Sequence, residues 1–510
     1  MTRAFDRTDR SVVVVIGSGA GGGTVANELA QKGIDVVCLE AGKRLTLAEV
    51  VNDPPTMDER MGWHDERDGK PVWLCKTVGG TTMRWSGVSP RFEKHETQAL
   101  STYDGLEDTG LIDWPLRFEE LEHYYDLAED KMGVSGTHGT PASAENNNYK
   151  VLKAGAQQIG YSRITSGRMS INSVARHGRP ACRQIGFCNS GCAIGAKWST
   201  LYTEIPAAEK TGHFELRSEC MVMAINHDKA GRVSGVVYKD ASGTMHEQKA
   251  RAVCVAGNVV ETTRILLNSA TSKYPTGLAN SSDQVGRNYM RHMFGFALAI
   301  MPKPVNFHRG ARQSGLVYDE QDHNPDRGFA GGYLFETLSL DPLNVAAFVG
   351  GWGPATSQYN DSYTHLAGLF LVGEDPPQAG NRIRLHTDRK DHNGLPVPVL
   401  DYTDHANTVA MREHGVTRAR AIYESLGAVE FWGGEGPPVG CHNMGVARMS
   451  ANREDGVTNG WGQTHDIDNL FVSDGSVIPT SGAANPTLTI VALAIRQADY
   501  IAEQMSKRNI

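Results

Sequence analysis

The sequence predicts an α/β fold with two domains, one built on a parallel sheet and the other an α+β domain built on an antiparallel sheet. The run Ser11–Ile16 is apolar and rich in valine, as expected for a parallel strand buried on both faces, and a glycine-rich turn and a helical pattern follow it. A similar strand–turn–helix pattern recurs at 251–269 and near the C-terminus, whereas 290–402 is strand-like with few helical periods. The length of 510 residues allows more than one domain.

The first strand, helix and second strand form a βαβ unit that predicts a dinucleotide-binding, Rossmann-like site. Gly17, Gly19 and Gly22 have the G-x-G-x-x-G spacing, the helix ends near Gly33, and Glu40 closes the second strand. The first glycine makes the tight turn, the second lets the backbone approach a pyrophosphate, and the third lets helix and strand pack closely. A carboxylate at the end of the second strand suits the ribose hydroxyls. The unit by itself does not separate NAD from FAD.

The remaining elements divide the chain between the two domains. The segment 52–71 is rich in proline and charge and predicts a long excursion or lid. Helical periodicity predicts helices over 114–134 and 407–428. The apolar pattern predicts paired strands over 214–240, and the C-terminal part is predicted to form a strand, a loop and then a helix from about Pro486. We therefore assign residues 1–100, 200–290 and 440–510 to a discontinuous dinucleotide-binding domain, and 101–199 and 291–439 mainly to a substrate-binding domain.

Composition excludes several classes of protein. The formal net charge of −8 leaves no basic surplus for nucleic acid. No stretch approaches the roughly 20 apolar residues of a membrane span, and the charged N-terminus lacks an apolar signal region, so the cytoplasm is the simplest location. Eight cysteines in a chain of this length do not indicate a disulfide scaffold, and Cys38 and Cys254 fit buried free thiols.

Six motifs taken in order resemble the glucose–methanol–choline (GMC) family of FAD oxidoreductases. They are GSGAGGG…CLEAG, KTVGGTTMRW, VCVAGNVVETTRILLNS, VGRNYMRH, CHNMGVARM and VSDGSVIPTSGAANPTLTIVALAIRQADYI. The C-terminal motif is most similar to the pyranose oxidase branch and its bacterial glycoside 3-oxidase relatives, and other parts resemble the large subunits of gluconate and fructose dehydrogenases. The resemblance implies the family's FAD-binding fold, shared with p-hydroxybenzoate hydroxylase, and a separate substrate domain.

The resemblance also implies which residues surround FAD. It places a loop over the isoalloxazine, a turn beside the ADP half, a turn near the pyrophosphate and ribityl chain, and a helix start against the flavin ring. These are, in that order, Gly79, Gly80 and Thr81; Ala256 and Gly257; Asp474 and Gly475; and Asn485, Pro486 and Thr487. Arg84 occupies the position at which many pyranose oxidases carry a histidine bonded covalently to the flavin, so the resemblance implies non-covalent FAD.

The same resemblance assigns the catalytic pair. Oxidation of an alcohol needs a base for the hydroxyl proton, and a histidine near neutral pH suits that task. His442 in CHNMG matches the family base, and Asn485 matches a second position that is histidine or asparagine. Asparagine can donate to and accept from a hydroxyl but cannot act as the base. His292 matches a recurrent family histidine, for which we predict a structural role, and we predict that His465 is a loop residue.

Other candidate groups are interpreted more simply. Cys182, Cys188 and Cys192 lie on a loop that resembles one holding a three-iron cluster in some dehydrogenases, but Arg183 interrupts the adjacent cysteines of that pattern. We therefore predict free thiols or one disulfide, and no metal. We predict a core position for three tryptophans, Trp85, Trp114 and Trp352, and a solvated turn for Glu374 and Asp375. Each of these residues could also contact a sugar.

The predicted activity is FAD-dependent oxidation of a secondary hydroxyl of a sugar or glycoside to a keto-sugar. His442 would act as base and Asn485 as its partner, and O2 or a quinone-type acceptor would reoxidise the flavin. The alternatives are a dehydrogenase of a non-sugar alcohol or sugar acid that uses a quinone or partner protein, and a flavin-binding subunit without turnover. An NAD dehydrogenase is disfavoured because it has no need of the C-terminal SDGS and NPTLT motifs. The sequence does not predict the oligomeric state.

Overall fold

The structure, a computed structural model, describes residues 3–62, 74–349, 352–436 and 441–510. Most of the second half of the predicted excursion at 52–71 lies outside the described residues. The strands are β1 Val13–Ile16, β2 Val36–Leu39, β3 Ile164–Thr165, β4 Phe214–Arg217, β5 Met221–His227, β6 Val233–Lys239, β7 Met245–Lys249, β8 Ala252–Val255, β9 Met293–Ile300, β10 Leu316–Val317, β11 Tyr333–Thr337, β12 Leu366–Gly373, β13 Arg382–Lys390, β14 Pro396–Asp401, β15 Glu430–Glu435 and β16 Leu470–Val472. The helices are α1 Ala20–Gln31, α2 Pro54–Arg60, α3 Lys94–Thr97, α4 Ala99–Thr102, α5 Phe118–Met132, α6 Asn147–Gln158, α7 Glu204–Thr211, α8 Asn258–Asn268, α9 Pro342–Val349, α10 Pro354–Asp361, α11 Ala406–Glu424 and α12 Thr487–Ser506.

The predicted parallel sheet has five strands in the order β16-β8-β1-β2-β4. Its strands come from the first, middle and last parts of the chain, and every neighbouring pair is parallel. All side chains of β1, β2, β8 and β16 are buried, because helices α1, α7 and α12 cover one face and further elements cover the other. A second, three-stranded sheet of β5, β6 and β7 follows β4.

The predicted antiparallel sheet has six strands in the order β15-β9-β12-β11-β10-β3. It is drawn from 164–165 and 293–435, which is the part of the chain assigned mainly to the substrate domain. Helix α11 packs against β9 and β12, and α6 packs against α11. The opposite face of β9, β11 and β12 borders the cavity described below.

The hairpin of β13 and β14 packs on α8, beside the parallel sheet. The buried Arg264 of α8 makes this contact, since its Nη2 donates to Asp391 at 2.8 Å and its Nε donates to the Pro396 carbonyl at 2.7 Å. A buried guanidinium needs such partners, so this ion pair fixes the hairpin to α8.

Candidate active site

A cavity of about 990 Å³ lies between the end of the parallel sheet and the antiparallel sheet. The glycine turn after β1, the end of β2, the turn after β8 and the start of α12 all border it. Most of the predicted site residues line it, namely Gly17, Gly19, Glu40, Gly80, Thr81, Ala256, Gly257, His442, Asp474, Gly475, Asn485, Pro486 and Thr487. The tertiary structure thus brings together residues that are up to 470 positions apart, from Gly17 to Thr487.

The glycine turn leaves no room for side chains except toward the cavity. Gly17 has a left-handed φ of 94°, and a Cβ there would lie 2.4 Å from the Ala256 carbonyl oxygen. A Cβ at Gly22 would lie 2.0 Å from the Gly17 oxygen, so this glycine serves close packing and does not line the cavity. A Cβ at Gly19 would meet nothing nearer than the Gly80 Cα at 3.9 Å, so it would occupy the cavity itself. This is the cradle that a bound pyrophosphate requires at the start of α1.

Glu40 lies at the end of β2, where the sequence predicted a ribose-binding carboxylate. Its oxygens accept hydrogen bonds from the backbone N–H of Ser18 at 3.0 Å, the Ser18 hydroxyl at 2.7 Å and the Gly42 N–H at 2.9 Å. Burial raises the pKa of the Glu40 carboxyl, and these hydrogen bonds oppose that change. The carboxyl therefore holds the glycine turn in place as well as bordering the cavity.

The C-terminal turn meets the turn after β8. Asp474 caps the short helical turn that follows it, by accepting from the Ser476 N–H at 2.8 Å, and it also accepts from the Thr262 hydroxyl at 2.6 Å. That Thr262 oxygen accepts in turn from the Gly257 N–H at 3.1 Å. Asp474 thus joins β16 to the N-terminus of α8 and fixes the shape of the cavity wall there.

The loop at 79–84 closes over the glycine turn. Gly79 and Gly80 have left-handed φ angles of 95° and 53°, and the Gly79 N–H donates to the Ser18 hydroxyl at 3.1 Å. Gly79 does not line the cavity, whereas Gly80, Thr81 and Arg84 do. The Arg84 guanidinium is mostly buried and pairs with Asp58, and burial lowers its pKa to about 9.

Two histidines meet because a backbone bridge aligns them. Met290 and Met444 exchange backbone hydrogen bonds of 3.1 and 3.0 Å as an isolated antiparallel bridge. His292 lies two residues after Met290 and His442 two residues before Met444, so antiparallel pairing sets them opposite each other. Their Nδ1 atoms are 2.9 Å apart, and both residues have left-handed φ angles, 72° and 58°. Such strained backbone at a non-glycine residue recurs at functional sites.

The hydrogen bonds of this pair determine where its protons lie. Nε2 of His292 is 2.9 Å from the Ser481 carbonyl oxygen, which can only accept, so this Nε2 carries a proton. Burial lowers the pKa of His292 to about 4, so the ring is neutral and its Nδ1 is an acceptor. His442 must then donate from its own Nδ1, which leaves its Nε2 unprotonated, with a lone pair that can accept a hydrogen bond. Burial, and secondarily the competing protonation of the neighbouring His292, hold the pKa of His442 well below its usual range.

Asn485 lies beside that lone pair. Its Nδ2 is 3.3 Å from Nε2 of His442, and its Oδ1 is buried with no hydrogen-bond partner among the described residues. The segment 480–485 that carries it is anchored by Glu96, which accepts from the Ala483 N–H at 2.7 Å and whose carbonyl accepts from the Thr480 hydroxyl at 2.7 Å. Asn485 directly precedes the N-cap of α12, so the positive end of that helix faces the cavity.

The antiparallel sheet supplies a wall that sequence reasoning missed. Phe294, Phe370 and Val372 present apolar side chains to the cavity, and Glu336 of β11 is a single carboxyl on the same face. The sequence signal for it is a lone acidic residue in the apolar run YLFETLSL. The sequence does not indicate the contact of His292 with His442, because that contact depends on a bridge between segments 150 residues apart.

Glu374 and Asp375 correct the prediction of a solvated turn, because only 6% and 1% of their surfaces are exposed. Glu374 accepts from the Tyr103 hydroxyl and from the Gly332 N–H at 3.0 Å, and burial raises its pKa to about 7. Its carboxyl, that of Glu96 and a ring nitrogen of His95 lie within 4.8 Å of one another. Both carboxyls already accept hydrogen bonds from the protein, so the cluster supports the 480–485 segment.

The three predicted loop cysteines are free. Among the described residues, their sulfur atoms do not form a group of three within 4.8 Å. The buried Lys197 secures their loop, since its Nζ donates to the carbonyls of Met83 at 2.9 Å, Trp85 at 2.6 Å and Cys188 at 2.7 Å. Burial lowers the pKa of Lys197 to about 8. The loop is thereby tied to the segment at 79–85 that borders the cavity.

The predicted tryptophans have three different environments. Trp85 and Trp114 are buried, and their indole N–H groups donate to the Trp198 carbonyl at 3.0 Å and the Thr480 hydroxyl at 2.6 Å. Trp85 also borders the cavity, whereas the side chain of Trp352 is 91% exposed, which contradicts a core position for it.

His465 lies in a loop, as predicted, 3.2 Å from the Ser450 hydroxyl. No helix in the described ranges is both long and apolar enough to cross a bilayer.

The cavity fits an extended dinucleotide followed by a flat ring. The cradle at Gly19, the carboxyl of Glu40 and the N-terminus of α1 suit the ADP half, and the turn at Asp474 and the start of α12 continue the wall toward His442. A parallel-sheet dinucleotide site joined to a histidine–asparagine pair defines a class, the dinucleotide-dependent oxidoreductases that act on CH–OH groups.

Residues 37–294 and 377–494 match the N- and C-terminal profiles of the GMC oxidoreductases. The chain belongs to the GMC oxidoreductase family.

Curated relatives agree on oxidoreductase chemistry but differ in substrate. A 2-methyl-1,2-propanediol dehydrogenase of Mycolicibacterium austroafricanum is 34% identical over 99% of this chain and 97% of its own length. A paromamine 6'-oxidase of Streptomyces fradiae is 29% identical over 98% and 92%. The fructose dehydrogenase large subunit of Gluconobacter japonicus is 28% identical over 97% and 98%. The chain is therefore an oxidoreductase of alcohol or sugar hydroxyls, and these relatives do not single out the pyranose oxidase or glycoside 3-oxidase branch.

Solved structures confirm the fold. Formate oxidase from Aspergillus oryzae RIB40, studied for modification of its FAD, aligns with a TM-score of 0.70 and 16% identity over 99% of this chain and 100% of its own. Pyridoxine 4-oxidase from Mesorbium loti aligns with a TM-score of 0.65 and 15% identity over 97% and 99%. At these identities the likeness extends to the fold, which in this family binds FAD.

Proposed function

We propose that this protein oxidises a secondary hydroxyl of a sugar or glycoside to the keto-sugar, with His442 as base, Asn485 as its partner and FAD held non-covalently. The observation that supports this proposal most directly is the neutral His442 at the cavity. Its unprotonated Nε2 lies 3.3 Å from Nδ2 of Asn485. The substrate O–H proton passes to this Nε2 as the C=O bond forms. When bound, FAD would supply the acceptor for the hydrogen of the carbinol carbon together with its electron pair.

Each residue has one task in this proposal. His292 keeps the proton of His442 on Nδ1, so that Nε2 stays unprotonated until substrate binds. Asn485 holds the substrate oxygen between its amide and the base, and the N-terminus of α12, whose dipole favours negative charge, would suit the flavin ring of a bound FAD. The lines of support for non-covalent FAD are Arg84, which has no nucleophilic atom for a flavin bond at neutral pH, and the cradle at Gly19.

A dehydrogenase of a non-sugar alcohol is the second candidate function. The apolar wall of Phe294, Phe370 and Val372 favours it, and so does the 34% identity to a diol dehydrogenase. In that case a quinone or partner protein, and not O2, would receive the electrons.

Anaerobic bleaching of the flavin tests both candidates. Purified protein is mixed without oxygen with free sugars, O-glycosides, C-glycosides and aliphatic and aromatic alcohols, and absorbance near the flavin maximum is followed. Bleaching by sugars or glycosides is the expected result, and bleaching by non-sugar alcohols alone would favour the second candidate. Admission of air or of a quinone afterwards identifies the electron acceptor. Release of the yellow colour into the supernatant after acid precipitation tests non-covalent binding. Colourless protein that takes up no FAD would refute the proposal.

A further inference from the structure

The antiparallel-sheet wall of the cavity contains a carboxyl that the catalytic pair does not use. Glu336 is fully buried, pairs in register with Phe370 of β12 and lines the cavity. Directly opposed residues of an antiparallel pair share a face, so Glu336 and Phe370 are neighbours on the cavity side of the sheet. Burial of a carboxyl in such a wall is costly unless hydrogen bonds offset it.

Only half of that carboxyl is satisfied within the described residues. Oε2 of Glu336 accepts from Nε2 of Gln313 at 2.7 Å, whereas Oε1 is buried with no hydrogen-bond partner there. The Asn485 amide adjoins the same carboxyl, and its Oδ1 is likewise buried and unpartnered within the described ranges. Both unpartnered oxygens belong to residues that line the cavity, and the Nδ2 of Asn485 is 3.3 Å from Nε2 of His442.

We infer that Glu336 binds a second hydroxyl of the substrate, on the carbon next to the one that is oxidised, and thereby selects vicinal diols. One hydroxyl is held by Asn485 and His442, and the neighbouring one reaches Oε1 of Glu336. Phe294 and Phe370 cover the C–H face of the same molecule. The inference rests on the proposed function, because it requires the oxidised carbon to face His442 and Asn485.

The chemistry of the wall favours a hydroxyl over an ammonium group. Burial raises the pKa of Glu336 to about 8, so the carboxyl is largely neutral at pH 7 and both donates and accepts. A hydroxyl also does both, and it carries no charge that the apolar wall would have to desolvate. A substrate without the second hydroxyl leaves Oε1 unpaired, so its transition state should be stabilised less.

The test compares substrates that differ by one hydroxyl. Anaerobic flavin reduction is measured with trans-1,2-cyclohexanediol and cyclohexanol, and with methyl glucopyranoside and its monodeoxy derivatives. We expect kcat/KM to be about 10- to 100-fold higher for the member with the neighbouring hydroxyl. Glu336→Leu should reduce that ratio to near one, and Glu336→Gln, which retains an oxygen acceptor, should restore part of it. Glu413→Leu, an exposed carboxyl on α11, is the matched control and should leave the ratio unchanged.

Binding is measured separately from chemistry in His442→Ala, where isothermal titration calorimetry gives the affinity for each member of a pair. The same loss of preference on adding Glu336→Leu is expected there. Equal rates for both members in the unaltered enzyme would overturn the inference and leave the proposed function standing, as would a ratio that persists in Glu336→Leu. That last outcome would mean that Glu336 and Asn485 serve only each other. No bleaching by any alcohol would overturn both.

Discussion

The two walls of the cavity are built on different principles. The parallel-sheet wall is formed largely by backbone: glycines that admit no side chain, helix N-termini and short turns, arranged around Gly17, Gly19 and Asp474. The antiparallel-sheet wall is formed by side chains, namely a carboxyl among aromatic rings. Backbone that binds a phosphate works for any chain with that local conformation, whereas a side-chain wall can be changed one residue at a time.

The largest effect should come from the junction of the two walls. His442→Ala should lower the rate of flavin reduction by about 10³-fold, because general-base catalysis contributes 10²–10⁴. FAD content and thermal stability should stay near those of the unaltered protein, since the parallel-sheet wall is untouched. Stopped-flow reduction and the flavin-to-protein absorbance ratio give both values. Because the pKa of His442 is held well below its usual range, the rate in the unaltered enzyme should be flat from pH 6 to 7.5; a steep rise there would contradict a neutral base.

A smaller effect on the rate of flavin reduction is expected from substitution of His292, the neighbour of His442. His292→Phe removes the acceptor for the Nδ1 proton of His442, so the wrong tautomer becomes populated and flavin reduction should slow by about 10²-fold. His292→Asn offers an amide oxygen near the same place and should recover part of the rate. The comparison of these two variants in stopped-flow, together with unchanged FAD content, separates positioning from folding. Equal rates in both variants would refute the tautomer argument.

FAD binding can be weakened by a substitution in the parallel-sheet wall that leaves the antiparallel-sheet wall unchanged. Gly19→Ala places a methyl group in the cavity, where its nearest neighbour is 3.9 Å away, so the chain should fold but bind FAD about tenfold more weakly. Gly380→Ala, at an exposed position without a left-handed φ and with no atom within 4 Å of its Cβ, is the control for an added methyl group. Fluorescence titration of apoprotein with FAD measures the dissociation constant. Substrate preference of the loaded variant should be unchanged, and a shifted preference would argue against independent walls.

The smallest effect concerns the support of the 480–485 segment. The folded-state pKa of Glu374 is raised from 4.5 to about 7, so the folded protein keeps a proton that the unfolded chain loses over this range. Its contribution to stability is therefore present at about pH 4.5 and is lost as the pH rises to about 7. Glu374→Gln is neutral throughout and should flatten the decline in melting temperature over that window, by on the order of a few degrees. Thermal scans at several pH values measure it, and parallel slopes would refute the assignment.

Local sequence patterns predicted the parallel-sheet wall of the cavity well, and they predicted poorly those residues whose environment depends on distant parts of the chain. The strand, glycine turn and helix at 13–31 have the predicted form, because each glycine there satisfies a requirement of its immediate neighbours. Glu374 was wrongly predicted to lie on a solvated turn, because its burial depends on Tyr103 and Gly332, which lie far from it in the chain. The assignment of Glu40, His442 and Asn485 to FAD and catalysis remains a prediction, although the cavity contains all three.

The sequence by itself determined the α/β class, the glycine cradle and the order of the motifs, since these depend on contacts between residues close in the chain. Only the tertiary structure decided that the Met290–Met444 bridge sets His292 against His442, and that Glu336 shares a cavity with Asn485. The physical reason is that proton positions and unpaired oxygens depend on which distant groups meet, and a linear pattern does not contain that information.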